Sequence, residues 1–116
     1  MLDAPTSLSE SRYWDCIAAC SRCALLCEFC AAACLRDVHA EHMLNCVAVN
    51  MDCAGACRLA AAAMSRDSAH VPAICELCAR ICESCAGECE RHDADHCQDC
   101  AESCEHCAEL CRQLIS

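Results

Sequence analysis

The chain has 116 residues, the size of one domain with a single core. With 19 Cys, 57% hydrophobic residues and only 3% aromatics, that core is left to Cys, Ala and a few Leu, Ile, Val and Met. A formal charge of −10 offers no basic patch for phosphate, which argues against nucleic acid and against an anionic membrane surface as partners.

Few breakers (2 Gly and 2 Pro) and much Ala and Glu predict an all-α fold. The opening MLDAPTSLSESRYWDC has no basic segment followed by an apolar run and a cleavage site, so export is not expected; a cytoplasmic location with reduced thiols is. Ser7-Leu8-Ser9-Glu10 reads as a capping box. Residues 7–15 form either a leading turn of the first helix or a separate short helix carrying Tyr13 and Trp14. Cysteines then fall at 16, 20, 23, 27, 30 and 34, in steps of 4 and 3, the a/d stripe of a bundle helix.

The stripe restarts as Met43, Cys46, Asn50, Cys53, Cys57, Ala60 and Met64. It restarts again as Val71, Cys75, Cys78, Cys82, Cys85, Cys89 and His92, and last as Cys97, Cys100, Cys104, Cys107, Cys111 and Leu114. Four stripes predict four helices, roughly 8–36, 39–65, 71–91 and 94–114, in one domain spanning 1–116. Asp37, Ser68 and Asp93 or Asp95 are candidate N-caps, and Pro72 suits a first turn. The short connections predict an antiparallel up-down-up-down four-helix bundle with a Cys-lined core. No uncharged stretch reaches the ~20 residues of a bilayer span.

Cys can serve as a small core hydrophobe, but Ala, Val or Leu would pack as well without the oxidation hazard. Nineteen is odd, so complete pairing into disulfides within one chain is impossible. Within a helix, CxxxC holds its Cβ atoms about 5–6 Å apart, beyond the ~3.5–4.5 Å of a disulfide; bonds between helices remain possible. Eight CxxxC pairs, Cys16/Cys20, Cys23/Cys27, Cys30/Cys34, Cys53/Cys57, Cys78/Cys82, Cys85/Cys89, Cys100/Cys104 and Cys107/Cys111, leave Cys46, Cys75 and Cys97 near the bundle ends.

Two thiolates one turn apart can grip a soft ion, most naturally Cu(I). Zinc needs four ligands and remains a competitor through facing pairs; iron–sulfur clusters draw on loops that this chain lacks. The CxxC spacings follow from the heptad, and no βαβ pattern supports thioredoxin-like chemistry. If each thiolate bridges two ions and each ion takes two sulfurs, capacity is on the order of one Cu(I) per Cys. No enzyme activity is expected.

The predicted topology gathers Cys34, His39, His42, Met43, Cys46, Cys89, His92, His96 and Cys97 at one end, a plausible entry point for metal, and leaves the other end mostly apolar. Asn50 interrupts a Cys stripe and sets register or completes a metal shell. Asp52 is read as surface, and His106 as solvated.

The CxxxC ladders, NMDCAGAC at 50–57 and CARICESCAGECERHDADHC at 78–97 resemble the cytosolic copper storage proteins, Cys-lined bundles that hold many Cu(I) ions. The resemblance spans about residues 14–114. It implies cytoplasmic storage, a homo-oligomer that is tetrameric in several members, and entry at a His-bearing end, where His92, His96, Asn50 and Asp52 become candidates. The alternative functions are a copper chaperone or a metallothionein-like buffer of Zn(II) or Cu(I).

Overall fold

The computed structural model describes residues 4–115, among which there is no strand. Four helices follow one another: α1 Trp14–Leu35, α2 Leu44–Ser65, α3 Val71–Cys89 and α4 Asp95–Ile115. They pack in a ring in which each helix touches its two sequence or end neighbours, α1 on α2, α2 on α3, α3 on α4 and α4 on α1. This is the antiparallel four-helix bundle that short connections impose.

The bounds differ from the sequence expectation at the entry to the first two helices. Leu8–Glu10 is a separate 3₁₀ turn ahead of α1, and Ala40–His42 is another ahead of α2, which begins at Leu44 rather than at 39. Glu10 reaches back to the Thr6 N–H at 3.1 Å, so the Ser7 to Glu10 capping box does not form. Asp37 and Ser68 act inside the loops instead of on a helix, accepting from the N–H groups of His39 (2.8 Å) and His70 (3.1 Å). Tyr13, Met43 and His70 hold the N-cap positions of α1, α2 and α3 without side-chain capping bonds, and Pro72 lies in the first turn of α3.

α2 ends through Asp67, at φ 53°, a left-handed conformation that Asp tolerates. The Ser68 N–H thereby reaches the Ala63 carbonyl at 2.9 Å, closing the helix in a Schellman-type turn. Gln98 closes the third connection by donating Nε2 to the His92 carbonyl at 2.7 Å.

All 19 cysteines are buried. Beside them run small residues that fix how closely the helices approach. Ala24, Ala31, Ala54, Ala79, Ala86, Ala101 and Ala108 each follow a seam Cys and are buried. A larger side chain at these positions would separate the helices and hold the sulfurs apart, at a cost of about 1–3 kcal/mol for overpacking.

The seam holds except at the last positions of the third and fourth stripes: His92 lies beyond the end of α3 and is half-buried, and Leu114 is 36% exposed while Ile115 packs partly against the core. A straight helix drifts about 20° per heptad from the 3.5 repeat, and the last predicted position has turned outward. α1 and α2 are each 22 residues long and apolar enough to cross a membrane by length and composition, despite the charges that interrupt them. In this fold 50% and 39% of those windows lie inside the bundle.

Candidate metal centre

The antiparallel packing of α1 on α4 brings their thiols together rung by rung. Sγ atoms lie 3.6 Å apart at Cys16–Cys111, 3.4 Å at Cys20–Cys107, 3.6 Å at Cys23–Cys104, 3.6 Å at Cys27–Cys100 and 3.8 Å at Cys30–Cys97. α2 and α3 form the facing ladder, with Cys46–Cys89 at 3.6 Å, Cys53–Cys82 at 3.6 Å and Cys57–Cys78 at 3.8 Å. Cys53–Cys104 at 3.8 Å and Cys57–Cys107 at 3.9 Å join the two ladders across the core. These separations are non-bonded, far beyond the ~2.05 Å of a disulfide, and all 19 thiols are free.

Six of the CxxxC pairs hold their sulfurs 3.9–4.0 Å apart, no closer than the rungs between helices. The natural unit is therefore a group of sulfurs drawn from several helices, not an isolated pair on one. Among such groups, five whose Sγ atoms lie within 4.8 Å of one another run along the column. They are Cys20/Cys78/Cys107/Cys111, Cys23/Cys53/Cys57/Cys82, Cys23/Cys27/Cys53/Cys104, Cys27/Cys85/Cys100/Cys104 and Cys30/Cys34/Cys46/Cys97. Cys75 is buried at the end occupied by Cys16 and Cys111. The three middle groups share sulfurs, Cys23 and Cys53 between two of them and Cys27 and Cys104 between the next two. The end groups meet this middle through Cys57–Cys107 at 3.9 Å and, by way of Cys89 beside Cys85, through Cys46–Cys89 at 3.6 Å.

Close thiols share their protons unequally. Hydrogen bonds from Cys111 and then Cys20 lower Cys107 to about 6, while the bond to Cys107 raises Cys20. At the other end, burial pushes Cys34 and Cys97 up, helped by the neighbouring charges of Cys30 and Cys46. Cys30 goes the other way: Cys100 pulls it up, but Cys46, Cys89 and His96 together bring it down to about 5.

His96 is the imidazole that meets this column. Its Nδ1 lies 3.3 Å from the Cys30 sulfur and 3.5 Å from that of Cys97, and its ring is half-buried. His92 is half-buried as well, but its Nε2 is engaged with Glu88 at 2.8 Å. His39 and His42 stack on each other with ring centres 5.8 Å apart, exposed and flanking Glu41. Met43 beside them is buried against the core. Asp52 and His106 are exposed.

Asn50 is the sole fully buried polar side chain among the described residues. Its Oδ1 accepts from the thiols of Cys85 (3.1 Å), Cys100 (3.1 Å) and Cys89 (3.5 Å), and its Nδ2 donates to the Cys46 sulfur at 3.5 Å. The sequence marked it as a polar break in a stripe; that it contacts four sulfurs from three helices follows only from the packing.

This geometry defines a class of protein: a prefolded helical bundle whose interior is a continuous column of sulfur. The chain belongs to the copper storage protein family, whose model matches residues 9–116. It is similar to the Cu(I)-bound copper storage protein BsCsp3, at 43% identity and TM-score 0.86 over 95% of this chain and all of the other. It is also similar to metal-free copper storage protein 3 from Bacillus subtilis, at 44% identity and TM-score 0.85 over 90% of this chain and 99% of that one. The copper storage protein Ccsp from Streptomyces lividans, loaded with 10 copper equivalents, matches at 35% identity and TM-score 0.88 over 97% of this chain and 92% of its own. None of the curated proteins matches the chain.

Proposed function

We propose that this chain is a cytoplasmic store for Cu(I), taking up many ions through the 19 buried cysteines. The observation that carries this reading is the overlap of the sulfur groups. A single-ion chaperone needs one exposed site, whereas here 18 of the thiols are 0% exposed and Cys16 is 3% exposed. A thiol enzyme would need one distinctive reactive sulfur in a cleft, and this core repeats the same environment along its length.

Charge decides between the metals. Four thiolates around Zn(II) leave a net charge of −2 at every site in a dry core, and unpaired buried charge costs several kcal/mol. Exchanging one proton for one Cu(I) at each thiol leaves the local charge unchanged. A column of shared sulfurs therefore fills with Cu(I) without accumulating charge, toward on the order of one ion per Cys. The relatives accord with this: BsCsp3 is Cu(I)-bound, and the Streptomyces lividans protein holds 10 copper equivalents.

Anaerobic titration of the reduced protein with Cu(I) against a chromophoric chelator, with Zn(II) in parallel, is the test. Uptake should exceed about a dozen Cu(I) per chain, with little change in helical circular dichroism because the bundle exists before the metal. Uptake of one or two ions, or a preference for Zn(II) at about four Cys per ion, would overturn the reading.

The store assembles as a homo-oligomer through α1 and α2. Leu25 and Phe29 on α1 and Met51 and Leu59 on α2 are 69%, 63%, 60% and 44% exposed, and Arg58 pairs with Glu28 between the two helices at 2.9 Å. The acids concentrate elsewhere: α4 carries Asp95, Asp99, Glu102, Glu105 and Glu109 against Arg112. Two copies can bury these side chains by bringing their α1/α2 faces together about a two-fold axis, and a tetramer adds a second interface to this pairing. Leu25→Glu with Phe29→Glu should shift sedimentation to a monomer while the helical signal stays; an unchanged oligomer would place the interface elsewhere.

A further inference from the structure

The α2 seam sets an amide at position 50, between Cys46 and Cys53, where the repeat would place another thiol. We infer that Asn50 turns its amide over as the core fills, presenting its oxygen to the sulfurs of the metal-free protein and its nitrogen to those of the loaded one. The inference rests on the reading that these sulfurs take Cu(I).

In the metal-free core the arrangement is satisfied. The amide carbonyl is a far better acceptor than a thiol sulfur, and Oδ1 sits within 3.1–3.5 Å of Cys85, Cys89 and Cys100, each with an S–H to give. Nδ2 faces the fourth sulfur, Cys46. No other fully buried nitrogen or oxygen side chain competes among the described residues.

Loading inverts the chemistry of these neighbours. When a Cu(I) ion replaces a thiol proton, the proton leaves and the sulfur changes from donor to electron-rich acceptor. An unmoved Oδ1 would then confront three acceptors with nothing to accept. Half a turn about the Cβ–Cγ bond aims both N–H groups at the Cys85 and Cys100 side and leaves one acceptor facing Cys46. That torsion is broad and two-fold in asparagine, and the amide's two ends are nearly the same size, so the turn leaves the packing intact. Asp has no donor when ionised and Ser has one; only an amide carries an acceptor and two donors on one flat frame. Asn50 is thus a positioning residue that offers Cys85, Cys89 and Cys100 the complementary end of its amide in both states, at the expense of its contact with Cys46 in the loaded one.

Asparagine occurs only at positions 45 and 50, and Asn45 is exposed, so protein labelled with ¹⁵N-asparagine carries its own control. In the metal-free protein the Asn50 side-chain N–H protons should show cross-relaxation to the Cys46 β-protons. After stoichiometric Cu(I) loading they should show it to the β-protons of Cys85 and Cys100, with Asn45 unmoved. Contacts that stay with Cys46 at full loading would overturn the inference and leave the storage reading standing; failure of the protein to take up Cu(I) would sink both. In Asn50→Asp, which keeps the acceptor and loses the donors, Cu(I) held beside Cys85 and Cys100 should pass to a chelator at least about tenfold more readily, the worth of one hydrogen bond to a charged group. Wild-type retention in that variant would also count against it.

Discussion

With Cys23, Cys27, Cys53 and Cys104 all replaced by alanine, the chain should lose at least about four Cu(I) of capacity, one per thiolate removed, and its uptake should separate into two phases. These four sulfurs form one group, and each also belongs to a neighbouring group: Cys23 and Cys53 with Cys57 and Cys82, Cys27 and Cys104 with Cys85 and Cys100. Their removal cuts the column into an inner segment around Cys20, Cys78, Cys107 and Cys111 and an outer one around Cys30, Cys34, Cys46 and Cys97. Ions in one segment no longer share a ligand with ions in the other. Four alanines placed at the ends instead, at Cys16, Cys34, Cys75 and Cys97, remove as many thiolates and leave the middle continuous, so uptake there should stay in a single phase. Treating each deleted sulfur as a methylene gives a cost of about 1 kcal/mol apiece, against a stability of about 5–15 kcal/mol for an ordinary domain. Circular dichroism and denaturant unfolding therefore precede the titration. Identical profiles for the two variants would show that the groups fill independently and that the overlap has no role.

The period of the cysteines makes the bundle legible in the sequence, because sulfur stripes in steps of 4 and 3 leave a helix one face to bury. The same steps suggested CxxxC pairs as binding units, and here the packing changes the picture. Position along a helix says which sulfurs share a stripe, but the distance between stripes depends on the alanines beside them, whose small volume lets Cys20 and Cys107 come within 3.4 Å. Those Cys-Ala steps were present in the sequence as a signal. The loop preceding α2 was less legible: Asp37 looked like a cap for a helix, yet it folds a turn that ends in Ala40–His42. Of the histidines placed by topology at one end, packing brings only His96 into reach of the thiols, through its position one residue before Cys97 on the first turn of α4.

Replacing His96 with alanine should slow Cu(I) uptake by at least about tenfold, equivalent to about 1.4 kcal/mol on the entry barrier, while total capacity falls by no more than about one ion. The thiols beside it, Cys30, Cys34, Cys46 and Cys97, are 0% exposed, so an ion arriving from solvent must exchange its last aqueous ligands before it meets sulfur. His96 is placed to span that gap, since its ring is partly open to solvent and its Nδ1 is 3.3 Å from the Cys30 sulfur. Imidazole is a competent ligand for copper in its neutral form, and here it would let the ion change ligands stepwise. His92, held by Glu88, stands further from the thiols, and His92→Ala should have a smaller effect that adds to that of His96→Ala. The opposite end is shut by Ile17, Met64 and Val71, which are 4%, 1% and 3% exposed, with the Arg12–Asp67 ion pair outside them. His70 lies exposed at that end, and His70→Ala should load at the wild-type rate. Stopped-flow measurement of Cu(I) transfer from a chelator separates the cases: equal slowing by His70→Ala and His96→Ala would mean that ions enter at both ends. A loss of capacity without a change in rate would make His96 a storage ligand in place of a door.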